Sequence, residues 1–122
     1  MSCENQTLGL VEVRFNGILF EIQQGSAEIN FGGQVAKENS LTDAGGYYPS
    51  FTNEPCEVKF ETPLTKDFDL DALRGQCGVL TVLCDNGVTY VSTTAALSET
   101  ISGKSGEGRA SVQFSGAPLE QI

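Results

Sequence analysis

The chain contains no histidine, and that absence removes the usual general base for serine and cysteine nucleophiles. Ordinary triad chemistry is excluded. Its four cysteines, Cys3, Cys56, Cys77 and Cys84, include no Cys-x-x-Cys pair, whereas structural zinc sites use closely spaced Cys or Cys/His ligands. Calcium fares no better. A calcium loop starting at Asp67 needs glycine at its sixth position and glutamate at its twelfth, and Ala72 and Gly78 stand there. No phosphate-binding loop is present, so neither a cofactor nor an enzymatic activity is expected. Tryptophan is also missing, which counts against a monomeric β-barrel that binds a sugar or small ligand. No apolar run approaches the roughly 18–20 residues needed to cross a bilayer, and no membrane insertion is expected. The first residues, Met-Ser-Cys-Glu-Asn-Gln, lack the basic start and apolar stretch of a secretory signal. Synthesis and folding in a cytoplasm are expected.

Positive charge is scarce as well: 7 basic residues stand against 16 acidic ones, a net charge of −9. The acids are scattered along the chain, and such a surface repels free nucleic acid. Two readings follow. The carboxylates either solvate an ordinary surface or form one past which a polyanion slides without sticking.

What the chain has is β-periodicity. Its 122 residues, 39% hydrophobic and evenly spread, suit one domain with a real core. Val11, Val13 and Phe15 alternate with Glu12 and Arg14 up to Asn16-Gly17, after which Ile18, Phe20 and Ile22 resume the alternation. That is a β-hairpin, because Asn-Gly accommodates the positive φ angles of a tight turn. Ala27, Ile29 and Phe31 give a further strand, which Gly32-Gly33 ends. Residues 33–53 then lose the period and read as a long loop carrying Tyr47, Tyr48 and Phe51. Loops of that length are generally functional. Its aromatics either fold back on the core or anchor against a neighbouring subunit.

Cys56, Val58 and Phe60 alternate with Glu57, Lys59 and Glu61 in the next strand. Thr65–Gly75 reads as a short helix, with Asp67 or Asp69 capping its first amides, Phe68, Leu70 and Leu73 buried, and Gly75 as the stop. Val79–Cys84 is apolar on both faces, so both are expected to be covered, either within a sandwich or by another chain. Asp85-Asn86-Gly87 turns the chain back, and Ala110, Val112 and Phe114 mark the last strand. The expected fold is therefore mainly β, an antiparallel sandwich or barrel with one short helix and a long middle loop. Cys56 and Cys84 fall on apolar faces and read as buried thiols.

In this order the pieces resemble the tail tube proteins of long-tailed bacteriophages, particularly those with contractile tails. The resemblance spans residues 9–118. It rests on the Asn16-Gly17 hairpin, the long middle loop, the Glu54-Pro55 strand start, Phe68-Asp69-Leu70-Asp71-Ala72-Leu73 and Asp85-Asn86-Gly87-Val88. Gly106-Glu107-Gly108 and the closing Ser111-Val112-Gln113-Phe114-Ser115-Gly116 complete it. The cysteines stand outside the pattern. The resemblance implies a single tail-tube-like domain over 1–122, with an N-terminal arm (1–8) and an inter-subunit loop (33–53). Subunits of this kind form hexameric rings that stack into a tube in the virion tail. Sheath, tape-measure and baseplate proteins are the expected partners, and DNA transits the lumen without specific binding. The tube of a tailocin or type VI secretion system shares the fold and is the alternative. The polar strand positions Glu21, Gln23, Glu28, Asn30, Glu57 and Glu61 are the candidates for the lumen wall. Cys3 and Cys77 are the candidates for a disulfide between subunits.

Overall fold

The computed structural model describes residues 8–122. Eleven strands follow one another along the chain: β1 Val11–Phe15, β2 Ile18–Phe20, β3 Glu28–Asn30, β4 Gly33–Leu41, β5 Tyr47–Glu54, β6 Cys56–Pro63, β7 Cys77–Cys84, β8 Thr89–Leu97, β9 Ser102–Lys104, β10 Arg109–Gly116 and β11 Glu120–Gln121. Nine of them make one antiparallel sheet in the order β2-β1-β7-β8-β10-β6-β3, with β11 added to β8 and β9 to β10. Although β2 and β3 end this order, they are consecutive in the chain. The segment between them carries the Gln23 N–H to the Glu61 carbonyl of β6 at 2.8 Å. The sheet therefore curls into a barrel around one interior.

Alternation decides what fills that interior. On β6 and β10 every second side chain is buried: Cys56, Val58 and Phe60 on one, Ala110, Val112 and Phe114 on the other. Val13, Phe15, Leu80 and Val82 meet them from β1 and β7. Phe114 is central, with ring centroids 4.6 Å from Phe15, 5.9 Å from Phe20 and 6.2 Å from Phe60. Each ring removed from water stabilises the fold by roughly 1.5–3 kcal/mol, so this cluster carries much of the hydrophobic term.

The expected Asn-Gly turn is present, with φ of 51° at Asn16 and 81° at Gly17. Asn16 does a second job. Its Oδ1 accepts from the Val79 N–H at 3.3 Å and its Nδ2 donates to the Cys77 carbonyl at 3.4 Å. The side chain thus stands in for backbone where the β7/β8 register shifts between Gly78 and Leu80. A Cβ on Gly78 would overlap the Asn16 side chain, so any larger residue there would push the Asn16 amide out of its bonds to β7.

Two expectations need correction. No helix forms among the described residues. Residues 65–75 make hydrogen-bonded turns, in which the Arg74 N–H reaches the Leu70 carbonyl at 3.0 Å. Local features keep the turns in place: Asp69 Oδ1 accepts from the Asp71 N–H at 3.0 Å, and Gly75 has φ of 71°. Between that cap and that stop there is room for about one turn, and a single turn does not offset the cost of nucleating a helix. Leu73 is buried, but Leu70 is exposed.

The segment 33–53 is no loop either. Strands β4 and β5 pair as a separate two-stranded sheet joined by a turn at residues 42–46, with a register shift between Ala36 and Glu38. That irregularity breaks the two-residue period by which a strand is recognised in sequence. On β7, for which cover within a sandwich or by another chain is expected, Val79 is 48% exposed in the single subunit.

Candidate functional site

Strands β3, β6 and β10 lie side by side, and their outward positions form one polar face. Lys59 stands at the centre, opposite Glu28 of β3 and Gln113 of β10. One step along, Glu57 lies opposite Asn30 and Ser115; one step the other way, Glu61 lies opposite Ser111. Glu28, Asn30, Glu57, Lys59 and Gln113 surround a shallow depression. Arg109 of β10 binds Glu61 through Nη1 at 3.1 Å and approaches Glu107 through Nη2 at 3.8 Å. Carboxylates outnumber the cations, so the face is acidic, and Arg109 and Lys59 divide its field instead of cancelling it.

Four of the six candidate lumen residues, Glu28, Asn30, Glu57 and Glu61, thus share one face. Gln23 adjoins it through its backbone bond to Glu61, and its side chain is exposed. Glu21 does not belong to the face. It lies beyond β2, across a groove from Asp67 and Asp69. Reading the strands singly missed Gln113 and Arg109, because the β6/β10 pairing that brings Arg109 to Glu61 joins residues 48 positions apart. The available signal was the polar alternate row of the last strand.

The second surface is the β4/β5 hairpin. Of its described residues between 34 and 53, all but Gly46 are exposed on both faces. Leu41 lies opposite Tyr47 and Ala36 opposite Phe51, and Pro49 falls between the two aromatics on the same side. Tyr48, opposite Ser40, points the other way. The three aromatics expected to act together are therefore split. Tyr47 and Phe51, 54% and 61% exposed, form an apolar stripe, while Tyr48 stands alone. Gly32 sets the base of the hairpin, since a Cβ there would strike the backbone of residues 54–56 at 2.7 Å.

A family profile for phage tail tube proteins matches residues 4–121. The chain belongs to that family. Two of the solved structures that share the fold of this tail tube family member come from tube-terminating assemblies. One is the sheath/tube terminator of an extracellular contractile injection system, PVC, in its extended state, with a TM-score of 0.65 at 6% identity and 92% of each chain covered. The other is the tube-terminating cap of the anti-feeding prophage, with a TM-score of 0.61 at 9% identity, covering 100% of this chain and 99% of that one. No curated protein sequence matches the chain.

Among the described residues no group of three acidic or cysteine side chains could hold a metal ion. Cys56, Cys77 and Cys84 are free thiols. Cys56 is buried and Cys77, the first residue of β7, is exposed; Cys84 is half-buried. Burial pushes the Cys56 thiol above its ordinary value, with hydrogen bonds to Ser92 and Gly116 pulling partly back. Burial raises Cys84 too, helped by the neighbouring carboxylate of Asp85. Cys3 lies outside the described residues.

Proposed function

We propose that this chain is a structural subunit of a tail tube, closing with further copies into hexameric rings that stack into a conduit for DNA ejection. The observation that carries the reading is the β4/β5 hairpin. A two-stranded ribbon with an apolar stripe and both faces open is marginal in water by itself, and a neighbouring copy would supply the missing cover. In this reading the Glu28/Asn30/Glu57/Glu61 face lines the lumen, where carboxylates keep the phosphate backbone from adhering. The role is architectural and not catalytic. The assembled tube sits in the virion tail after assembly in the host cytoplasm, with sheath, tape-measure and baseplate proteins as its further contacts. Cys77 is open to a neighbouring copy, and a dimer on a non-reducing gel of intact particles that disappears in both a Cys3→Ser and a Cys77→Ser variant would identify Cys3 as its partner.

Negative-stain imaging of purified chain across a concentration series tests the central reading. Rings of six that stack into long tubes are the expected result, and a monomer at every concentration, even with preformed baseplates as seeds, would overturn it. The fold shared with two terminating assemblies favours a second reading, in which copies cap a tube without extending it. Single rings seated on tube ends, never stacking, would identify that role. Glu28→Lys with Glu57→Lys tests the lumen assignment: tubes should still form but retain DNA in low salt, where wild-type tubes release it.

A further inference from the structure

Away from both surfaces, a groove of about 600 Å³ runs between strand β2 and the turns at 65–73. One wall is Ile18, Leu19, Phe20 and Glu21; the other includes Thr65, Asp67, Phe68 and Asp69, with Thr62 and Pro63 of β6 closing an end. Strand β2 has β1 as its single strand partner among the described residues, so its outer edge faces the groove. Around the two-residue turn, Phe15 and Ile18 make the first hydrogen-bonded pair, and the alternation of an antiparallel ladder turns the N–H and C=O of Leu19 outward. Leu19 itself is 51% exposed. Among the described residues, the groove therefore offers an unpaired donor and acceptor beside apolar surface. Every ionisable group lining it is a carboxylate: Glu21, Asp67 and Asp69.

We infer that this groove docks an extended segment of another protein, alternately apolar and basic, which adds as a strand to β2 and sets its lysines or arginines over Glu21, Asp67 and Asp69. Strand addition explains the open edge, since main-chain bonds give affinity and alternate side chains give selectivity. Charge selects the occupant. A second copy of this chain, at net −9 with 7 basic residues, is a poor source of positive charge, so the segment belongs to a different, basic partner. The inference concerns a face distinct from the lumen wall and does not depend on ring formation.

The probe is a capped hexapeptide of alternating lysine and valine, titrated into the full chain while amide chemical shifts are followed. Saturating shifts confined to residues 18–21 and 65–73 are expected. The corresponding glutamate/valine peptide and a backbone N-methylated lysine/valine peptide should each bind about tenfold or more weakly, through lost charge pairing and lost main-chain bonds respectively. Glu21→Lys and Asp67→Lys change exposed residues, so each variant should keep its amide dispersion while losing about tenfold in affinity. The inference is overturned by no saturable binding, by shifts spread over the Glu28/Glu57 face as for any acidic surface, or by unchanged affinity in both the Glu21→Lys and the Asp67→Lys variant. Shifts at 18–21 that grow with protein concentration without peptide would make a second copy the occupant and equally defeat it.

Discussion

Both the barrel and the β4/β5 hairpin are antiparallel β-structure with regular cross-strand pairing, yet they stand in opposite relation to water. In β6 and β10 the inward row of side chains is buried, and the outward row is polar. In β4 and β5 neither row is covered among the described side chains, although Leu41, Tyr47, Pro49 and Phe51 are as apolar as much of the core. Hydrogen-bonded ladders form in both. What separates them is the hydrophobic term, which a single chain supplies to one and withholds from the other. The barrel should therefore hold its stability within one subunit, and the hairpin should acquire its own from contact.

The largest break in that comparison would come from the barrel's aromatic centre. Phe114→Ala leaves a void among Phe15, Phe20 and Phe60 and should cost about 3–5 kcal/mol. A urea midpoint giving a loss under about 1 kcal/mol would mean that the core is not where the stability lies.

A smaller effect tests the seam between β1 and β7. Asn16→Gly keeps the positive φ that the turn requires but removes the side-chain bonds to Cys77 and Val79. A loss of about 1–2 kcal/mol is expected, measured by the same denaturation. Unchanged stability would show that the bulge at Gly78 needs no filling.

Alkaline pH should act more weakly still, and on the barrel alone, because the hairpin holds no cysteine. Folding raises the Cys56 and Cys84 thiols above their ordinary value of 9.0. Above that pH the unfolded chain releases protons that the folded chain retains, so the unfolded state binds fewer and stability falls as pH rises. Below it both states keep the proton and these thiols contribute nothing to the pH dependence. Denaturation midpoints taken from pH 7 to 10 should therefore decline only near the alkaline end, and a Cys56→Ala, Cys84→Ala double variant should decline less than wild type.

The same contrast accounts for what could be read from the amino acids. Where one side of a strand is buried, burial writes an alternation, and Cys56/Val58/Phe60 and Ala110/Val112/Phe114 were legible for that reason. Asn16-Gly17 was legible because few residues tolerate its φ angles. The hairpin was hidden because no single-chain core imposes alternation on it, and the register shift at Lys37 disrupts what remains. The turns at 65–75 carried genuine cap and stop signals, which specify the ends of a helix but not enough length to form one. At the acidic face, Glu28, Asn30, Glu57 and Glu61 could be named from their strands. Arg109 and Gln113 could not, because membership of the face depends on which distant strands become neighbours.

The smallest expected effect on stability falls on the hairpin, and it sharpens the comparison most. Phe51 is 61% exposed and lies opposite Ala36 on the apolar stripe. Replacing it by serine removes almost nothing from the single subunit's interior, so the denaturation midpoint of the monomer should move by no more than about 0.5 kcal/mol. Assembly should respond differently. If a neighbouring copy buries this ring, Phe51→Ser discards a buried aromatic anchor of the kind that costs about 2 kcal/mol or more at an interface, and rings should need at least about tenfold more protein to form. Tyr48→Ser, changing an equally exposed aromatic on the opposite side, separates the two faces. If light scattering shows that both variants impair assembly equally, both sides of the hairpin are covered in the tube. If only Phe51→Ser does so, the stripe of Leu41, Tyr47, Pro49 and Phe51 is the docking face. If neither does, the ribbon is held by its own ladder and the proposed need for a neighbour is wrong.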